Sequence, residues 1–212
     1  MHQIHGTMNE TTPVPAPAPR YDADDLAAAV EALRRGGIII YPTDTVWGIG
    51  CDATNEEAVA RVKALKGRAD AKALITLVSD AAMLERWVDD VPDVALELIE
   101  ATEEGSRPVT IVYDHPSKML APGLLAPDGT AGIRVCRDPY AAALCRRLRR
   151  PIVSTSANFS GQPTPASFAD IDPALIARAD YTARYRRNDA SASQPSSVIK
   201  ISSGGLFKIL RP

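Results

Sequence analysis

Four residues, Ile38-Ile39-Ile40-Tyr41, constrain this chain more than any others. A β-branched run of that density suits an extended strand with apolar side chains on both faces, and such a strand belongs in the interior of a sheet. Its neighbours isolate it. Gly36-Gly37 stop what precedes it, and Pro42 ends it. Upstream, Asp22 to Arg35 predicts a helix. Leu26, Val30 and Leu33 recur at helical spacing, Asp24 or Asp25 can cap the start, and Arg34 and Arg35 suit the C-terminus.

The alternation continues along the chain. Asn55 to Gly67 predicts a second helix, with Glu56 and Glu57 in its first turn and Val59, Val62 and Ala64 or Leu65 facing inward. Ala73 to Val78 reads as a strand, Ala81 to Trp87 and Val91 to Thr102 as helices. Arg107 to Tyr113 and Thr130 to Val135 read as strands, and Tyr140 to Leu148 as a helix. Pro151-Ile152-Val153 reads as the end of a short buried strand. A turn at Phe168 to Ile171 and a helix at Pro173 to Ala179 follow. From Tyr181 the chain is polar until two late strands, Ser196 to Ile201 and Phe207 to Arg211. Strands mixed with helices throughout give an α/β (α+β) class, a single domain around a mixed sheet flanked by helices. Residues 1–20 end in VPAPAPR, a Pro/Ala alternation expected as a disordered lead, and residues 21–212 form the folded domain.

Composition narrows the function classes. At 212 residues one domain can bury a real core. The formal charge is −2 and aromatics make up 5%, which argues against a nucleic-acid module built on global basicity and stacking but leaves room for a local basic cleft. No apolar run reaches the ~18 residues of a membrane span, and Met1 to Pro19 has no apolar core of a signal peptide. Cys51, Cys136 and Cys145 have no metal-ligand spacing, so reduced thiols and a cytoplasmic location are expected.

Two stretches carry chemistry. PIVSTSANFSG, Pro151 to Gly161, follows its three apolar residues with Ser154, Thr155, Ser156, Asn158 and Ser160. Hydroxyls and free backbone N–H groups at a strand end can converge on an anion; the alternative is a turn that satisfies its own backbone. PTDTVWGIG, Pro42 to Gly50, sets two threonines and Asp44 beside Trp47 and two glycines. The glycines permit close backbone approach, and the carboxylate can meet an ammonium or a metal; the alternative is a capped turn with Trp47 as a core plug. Lys66, Arg68 and Lys72 offer three cations in seven residues, either a solvated helix end or a phosphate clamp. Arg134 alternates with Ile133 and Val135 on an apolar strand and needs a partner, either an internal ion pair or a ligand's carboxylate or phosphate.

In chain order these segments resemble the YrdC-like threonylcarbamoyl-AMP synthases: PTDTVWGIG, KGR at Lys66 to Arg68, TAGIRV at Thr130 to Val135, STSANFSG, PSSVI at Pro195 to Ile199, and ILR at Ile209 to Arg211. The likeness runs from about Gly36 to Arg211. It implies a single twisted, open α/β sheet with a charged concave surface. It also implies an enzyme joining L-threonine, bicarbonate and ATP into threonylcarbamoyl-adenylate and pyrophosphate, for threonylcarbamoyladenosine formation next to the tRNA anticodon. The resemblance assigns threonine to Thr45, Arg134, Ser154 and Ser196. It assigns ATP to Lys66, Arg68, Lys72, Thr130, Ser156, Asn158, Thr164 and Arg211, with the cations facing the triphosphate. Mg²⁺ is expected on the triphosphate, with no dedicated protein metal cage. A tRNA-modifying transferase complex is the expected recipient of the adenylate. The competing functions are a tRNA- or double-stranded-RNA-binding module using the same concave surface, and a nucleotide-binding regulator. Three places depart from the family pattern. Ser106-Arg107-Pro108 replace a Pro-Gly-Pro, Lys72-Ala73-Leu74 replace an Asn-Pro-Leu ending, and Leu77 stands where some relatives carry a polar residue.

Overall fold

The computed structural model describes residues 21–67, 74–102, 107–189 and 195–212. The expected lead at 1–20 and the cations Arg68 and Lys72 lie outside the described residues. Among the described residues the strands are β1 (Ile39–Tyr41), β2 (Gly48–Gly50), β3 (Ile75–Val78), β4 (Val109–Tyr113), β5 (Ala131–Val135), β6 (Ile152–Ser156), β7 (Tyr181–Thr182), β8 (Ser197–Ile201) and β9 (Phe207–Arg211). The helices are α1 (Ala23–Arg34), α2 (Glu56–Leu65), α3 (Ala81–Trp87), α4 (Asp93–Ala101), α5 (Pro139–Leu148) and α6 (Pro173–Ile176), with 3-10 turns at Pro122–Leu124 and Phe168–Asp170.

The strands form one mixed sheet in the order β7-β1-β2-β6-β3-β5-β4-β8-β9. β1 is fully buried, as its β-branched run requires, and takes β2 antiparallel on one side and β7 parallel on the other. β6 joins the two halves, antiparallel to β2 through Ser156↔Gly48 and to β3 through Ser154↔Ile75. That pairing corrects the expected end at Val153. The strand runs on through the hydroxyl residues to Ser156, because a neighbour on each edge satisfies its backbone and frees the side chains. Gly50 explains part of the closeness: a Cβ there would fall 1.6 Å from the carbonyl oxygen of Val153.

Helices α3 and α5 pack against β3, α3 also against β5, and α1 against α5. Thr76, Ile133 and Val153 are cross-strand partners in the middle of the sheet, and all are buried. Leu77 and Arg134 are partners one step on, on the opposite face. The cap of α1 also differs from expectation. Asp22 accepts from the Asp24 N–H, while Asp25, fully buried, is drawn into a tertiary tie with the Tyr181–Tyr185 segment. β7 falls within the stretch read only as polar, and α6 stops at Ile176 rather than Ala179. No helix of the described residues is long and apolar enough to cross a membrane.

Candidate functional site

On the Arg134 face of the sheet, strand ends and turns enclose a cavity of about 200 Å³. Thr45, Arg134, Ser154, Ser156, Thr164, Ser196 and Arg211 line it, together with Val46, Ile75, Thr155 and Pro195. Seven of the twelve residues singled out in the sequence therefore share one concavity, although they come from segments as far apart as Thr45 and Arg211.

Each is held by local structure. Thr45 sits in the turn between β1 and β2, where its backbone N–H donates to the Thr43 hydroxyl at 3.0 Å and the two hydroxyls are 2.9 Å apart. Ser154 and Ser156 share one face of β6 by strand alternation. Gly48 leaves room for Ser154: a Cβ at Gly48 would meet the Ser154 Oγ at 2.9 Å. Ser196, immediately before β8, has its hydroxyl 2.8 Å from that of Thr110 on β4. Arg211 on β9 donates to the Ser196 carbonyl from Nε at 3.1 Å and from Nη2 at 2.7 Å. Arg107 donates to the carbonyl of Pro195 at 2.9 Å, which fixes the approach to β8.

Arg134 is 4% exposed and makes an ion pair from Nη2 to Asp44 Oδ1 at 3.0 Å. The same nitrogen donates to the Thr45 hydroxyl at 3.2 Å. The internal ion pair foreseen for an arginine on an apolar strand is thus present, yet it uses only part of the guanidinium. Nε is buried and has no hydrogen-bond partner among the described residues. A buried charged donor left in that state is costly, so the site favours an incoming acceptor. The electrostatics agree. Burial first, then the positive charges of Arg107 and Arg134, lower the pKa of Arg211. Like charges gathered in a partly desolvated hollow are relieved by an anion.

The other described candidates stand apart from the cavity wall. Thr130 donates its hydroxyl to Asp128 Oδ1 at 2.7 Å and lines an adjoining, largely apolar hollow of about 600 Å³, which shares Ile75 and Arg211 with the first. Lys66 was expected to face a triphosphate. Instead it is 1% exposed, and its ammonium donates to the carbonyls of Ser156 and Asn158 at 2.6 Å each and to Asn158 Oδ1 at 2.9 Å. Charge-assisted bonds to main-chain carbonyls make it the clasp of the turn after β6. Asn158 completes that clasp by accepting from the Ser156 hydroxyl at 2.6 Å and donating to the Gln162 carbonyl at 2.6 Å.

Asp44 is the residue whose role the sequence left open. Its Oδ2 accepts from the Arg137 N–H at 3.1 Å while Oδ1 holds Arg134. Its place in the Thr45 motif was a usable signal; the strand partner lay ninety positions away. Val46, Ile75 and Pro195 supply apolar or backbone surface and carried no chemical signal. Among the described residues no group of three His, Cys, Asp or Glu stands close enough to hold a metal ion.

A family model described as "Telomere recombination", Sua5/YciO/YrdC, matches residues 31–212. A threonylcarbamoyl-AMP synthase of Xanthomonas campestris pv. campestris (strain B100) is 40% identical over 157 residues, 74% of this chain and 83% of the relative. The synthase of Xanthomonas euvesicatoria pv. vesicatoria (strain 85-10) is 36% identical over 196 residues, 88% of this chain and 98% of the relative. Among solved structures, P. abyssi Sua5 complexed with L-threonine superposes with a TM-score of 0.74 at 26% identity, covering 86% of this chain and 52% of that one. The chain therefore spans about half the length of that Sua5. With a match over most of its length and relatives of this identity, the chain belongs to the Sua5/YciO/YrdC family.

Proposed function

We propose that this protein is a threonylcarbamoyl-AMP synthase, an enzyme that joins L-threonine, bicarbonate and ATP into threonylcarbamoyl-adenylate and releases pyrophosphate. The observation that carries the reading is the convergence of Arg134, whose buried Nε has no partner among the described residues, on Arg211 and the hydroxyls of Thr45, Ser154, Ser156 and Ser196 in one cavity. The relatives' names favour catalysis over a binding-only or regulatory role. Arg134 takes the amino acid's carboxylate, and the small cavity takes its body. The adjoining larger hollow, which shares Arg211 with the first, has the size for a nucleoside.

The chemistry needs no protein nucleophile. The threonine amine takes up bicarbonate with loss of water to give a carbamate. A carbamate oxygen then attacks the α-phosphorus of ATP, the bond to the β-phosphate breaks, and pyrophosphate leaves. The chain's own residues orient the two substrates and neutralise charge as it moves onto the leaving oxygens. Arg211 and the Ser156 donors face that charge, and Lys66 acts by fixing the Ser156–Asn158 turn. Mg²⁺ travels with the triphosphate as part of the substrate. The adenylate passes to a tRNA-modifying transferase complex. The test is pyrophosphate release from ATP with and without L-threonine and bicarbonate. Release that requires all three is expected; release indifferent to threonine would sink the reading.

A further inference from the structure

The segment after β7 reaches the turn that carries Thr45, and one residue in it holds a strained backbone. Arg186 has φ 60°, one of three non-glycine residues in the left-handed region among the described residues. Glycine or asparagine adopts that conformation with less strain, so an arginine there is explained by its side chain.

The contacts supply the explanation. Nη1 donates to the main-chain carbonyl of Thr43 at 3.1 Å and to Asp138 Oδ2 at 2.8 Å. Nε donates to Asp189 Oδ2 at 2.8 Å. Asp138 is buried, and its other oxygen caps α5 by accepting from the N–H groups of Tyr140 and Ala141. The two acceptors of Nη1 belong to the two segments that build the Arg134 end of the cavity. The Thr43 hydroxyl holds the Thr45 N–H, and Asp138 stands where the chain leaves β5, the strand of Arg134, and enters α5. The same two segments also meet through Asp44, which takes Arg134 and the Arg137 N–H. Arg186 adds a second link between them. Two ties at different points resist a pivot that one ion pair leaves free.

The segment is itself anchored. Asp25 of α1 accepts from the Arg184 and Tyr185 N–H groups just before Arg186. Just after it, the Arg187 guanidinium lies 4.8 Å over the Phe168 ring, and that ring is 5.0 Å from Trp47, at the far end of the Thr45 motif.

We propose that Arg186 is a positioning residue for the amino-acid site: it registers the Thr43–Thr45 turn against the end of β5, so that the Thr45 hydroxyl and the Arg134 guanidinium meet the carboxylate in one preset arrangement. The identity of that carboxylate rests on the synthase reading. Arg186 does not line the cavity, so it acts through Thr45 and Arg134 and not on the substrate. Donors fixed before the ligand arrives lose less on binding, which is the gain from such a brace.

The test is Arg186→Gly, which suits the left-handed backbone and removes the side chain. Calorimetry measures L-threonine binding with and without ATP, and steady-state kinetics follow pyrophosphate release. About tenfold weaker threonine binding and a similarly raised KM for threonine are expected, with KM for ATP within about twofold of the wild type. Arg186→Lys keeps the charge and one tether and should fall between the two; it decides by the same criteria if the glycine variant does not fold. The proposal is overturned if the variant binds threonine like the wild type. It is also overturned if the KM values for threonine and ATP rise together, as general loosening of the fold would make them. Wild-type binding without pyrophosphate release would sink the synthase reading alone, since the Arg186 effect is read on affinity. A wild type that binds no threonine would overturn both.

Discussion

Asp25 and Arg134 are both buried charges on an apolar framework, and they are finished differently. Asp25 is fully buried and saturated. It accepts from the Tyr181 hydroxyl at 2.6 Å, from the Arg184 N–H at 2.9 Å and from the Tyr185 N–H at 3.1 Å, with the Arg184 guanidinium 3.6 Å away. Arg134, at 4% exposure, keeps one ion pair, one hydroxyl and an idle Nε. The first pattern ties α1 to the segment after β7 and is complete as folded. The second leaves a buried donor open, as the proposed carboxylate contact requires. Satisfaction, rather than burial or charge, separates a structural residue from a functional one here.

That contrast can be broken, and the largest effect comes first. Asp25→Ala should cost about 3–5 kcal/mol of unfolding free energy, because it strands two backbone N–H groups and a phenol. Urea denaturation measures it, and a loss below about 1 kcal/mol would remove Asp25 as the saturated case. Arg134→Ala should lower threonine-dependent pyrophosphate release about 100-fold or more, about 2.7 kcal/mol, with KM for threonine rising and a folded protein remaining. Arg134→Lys sharpens the point. It can keep a charge beside Asp44 but lacks the guanidinium fork, so it should recover stability without recovering turnover. Lys66→Met should cost about tenfold in turnover, close to 1.4 kcal/mol, by loosening the Ser156–Asn158 turn; unchanged kinetics would show that the clasp is incidental.

Two smaller effects refine the rule. The Thr76 hydroxyl is also buried and has no partner among the described residues, but it stands on the sheet face away from Arg134 and lines none of the hollows described above. Thr76→Val should therefore be neutral or stabilising, within about 0.5 kcal/mol, and leave activity intact. If it impaired catalysis, an idle donor would not need a cavity to matter. The cysteines give the weakest signal. Burial pushes the Cys51 and Cys145 thiols up to about 12. An unfolded thiol ionises near about 8.5, so above that pH the unfolded chain releases protons the fold retains. Stability is full below that point and declines as pH rises toward about 12, and thiol reagents should react slowly with the native protein at about pH 8.

Much of this was legible because local pattern and final position agree. Ile38 to Tyr41 became the buried β1, and Arg134 stood out by sharing a strand with Ile133 and Val135. The hydroxyls of Ser154 and Ser156 declared their chemistry but not their backbone, since a polar stretch looks like a loop until β2 and β3 flank it. Asp25 was misread as a cap because its partners lie beyond Tyr181, and nothing local distinguishes a capping carboxylate from one pulled inward. The clasp made by Lys66 was hidden for the same reason, its acceptors being main-chain atoms about ninety residues on.

The cavity wall has a kinetic consequence. Thr45, Arg134, Ser154, Ser196 and Arg211 reach it from five separate strands or turns, so no contiguous fragment holds enough of it to work. Such long-range pairings form late, after helices and hairpins. Recovery of turnover during refolding should consequently lag the return of helical circular dichroism, which makes pyrophosphate output a stricter clock of maturation than any optical probe of secondary structure.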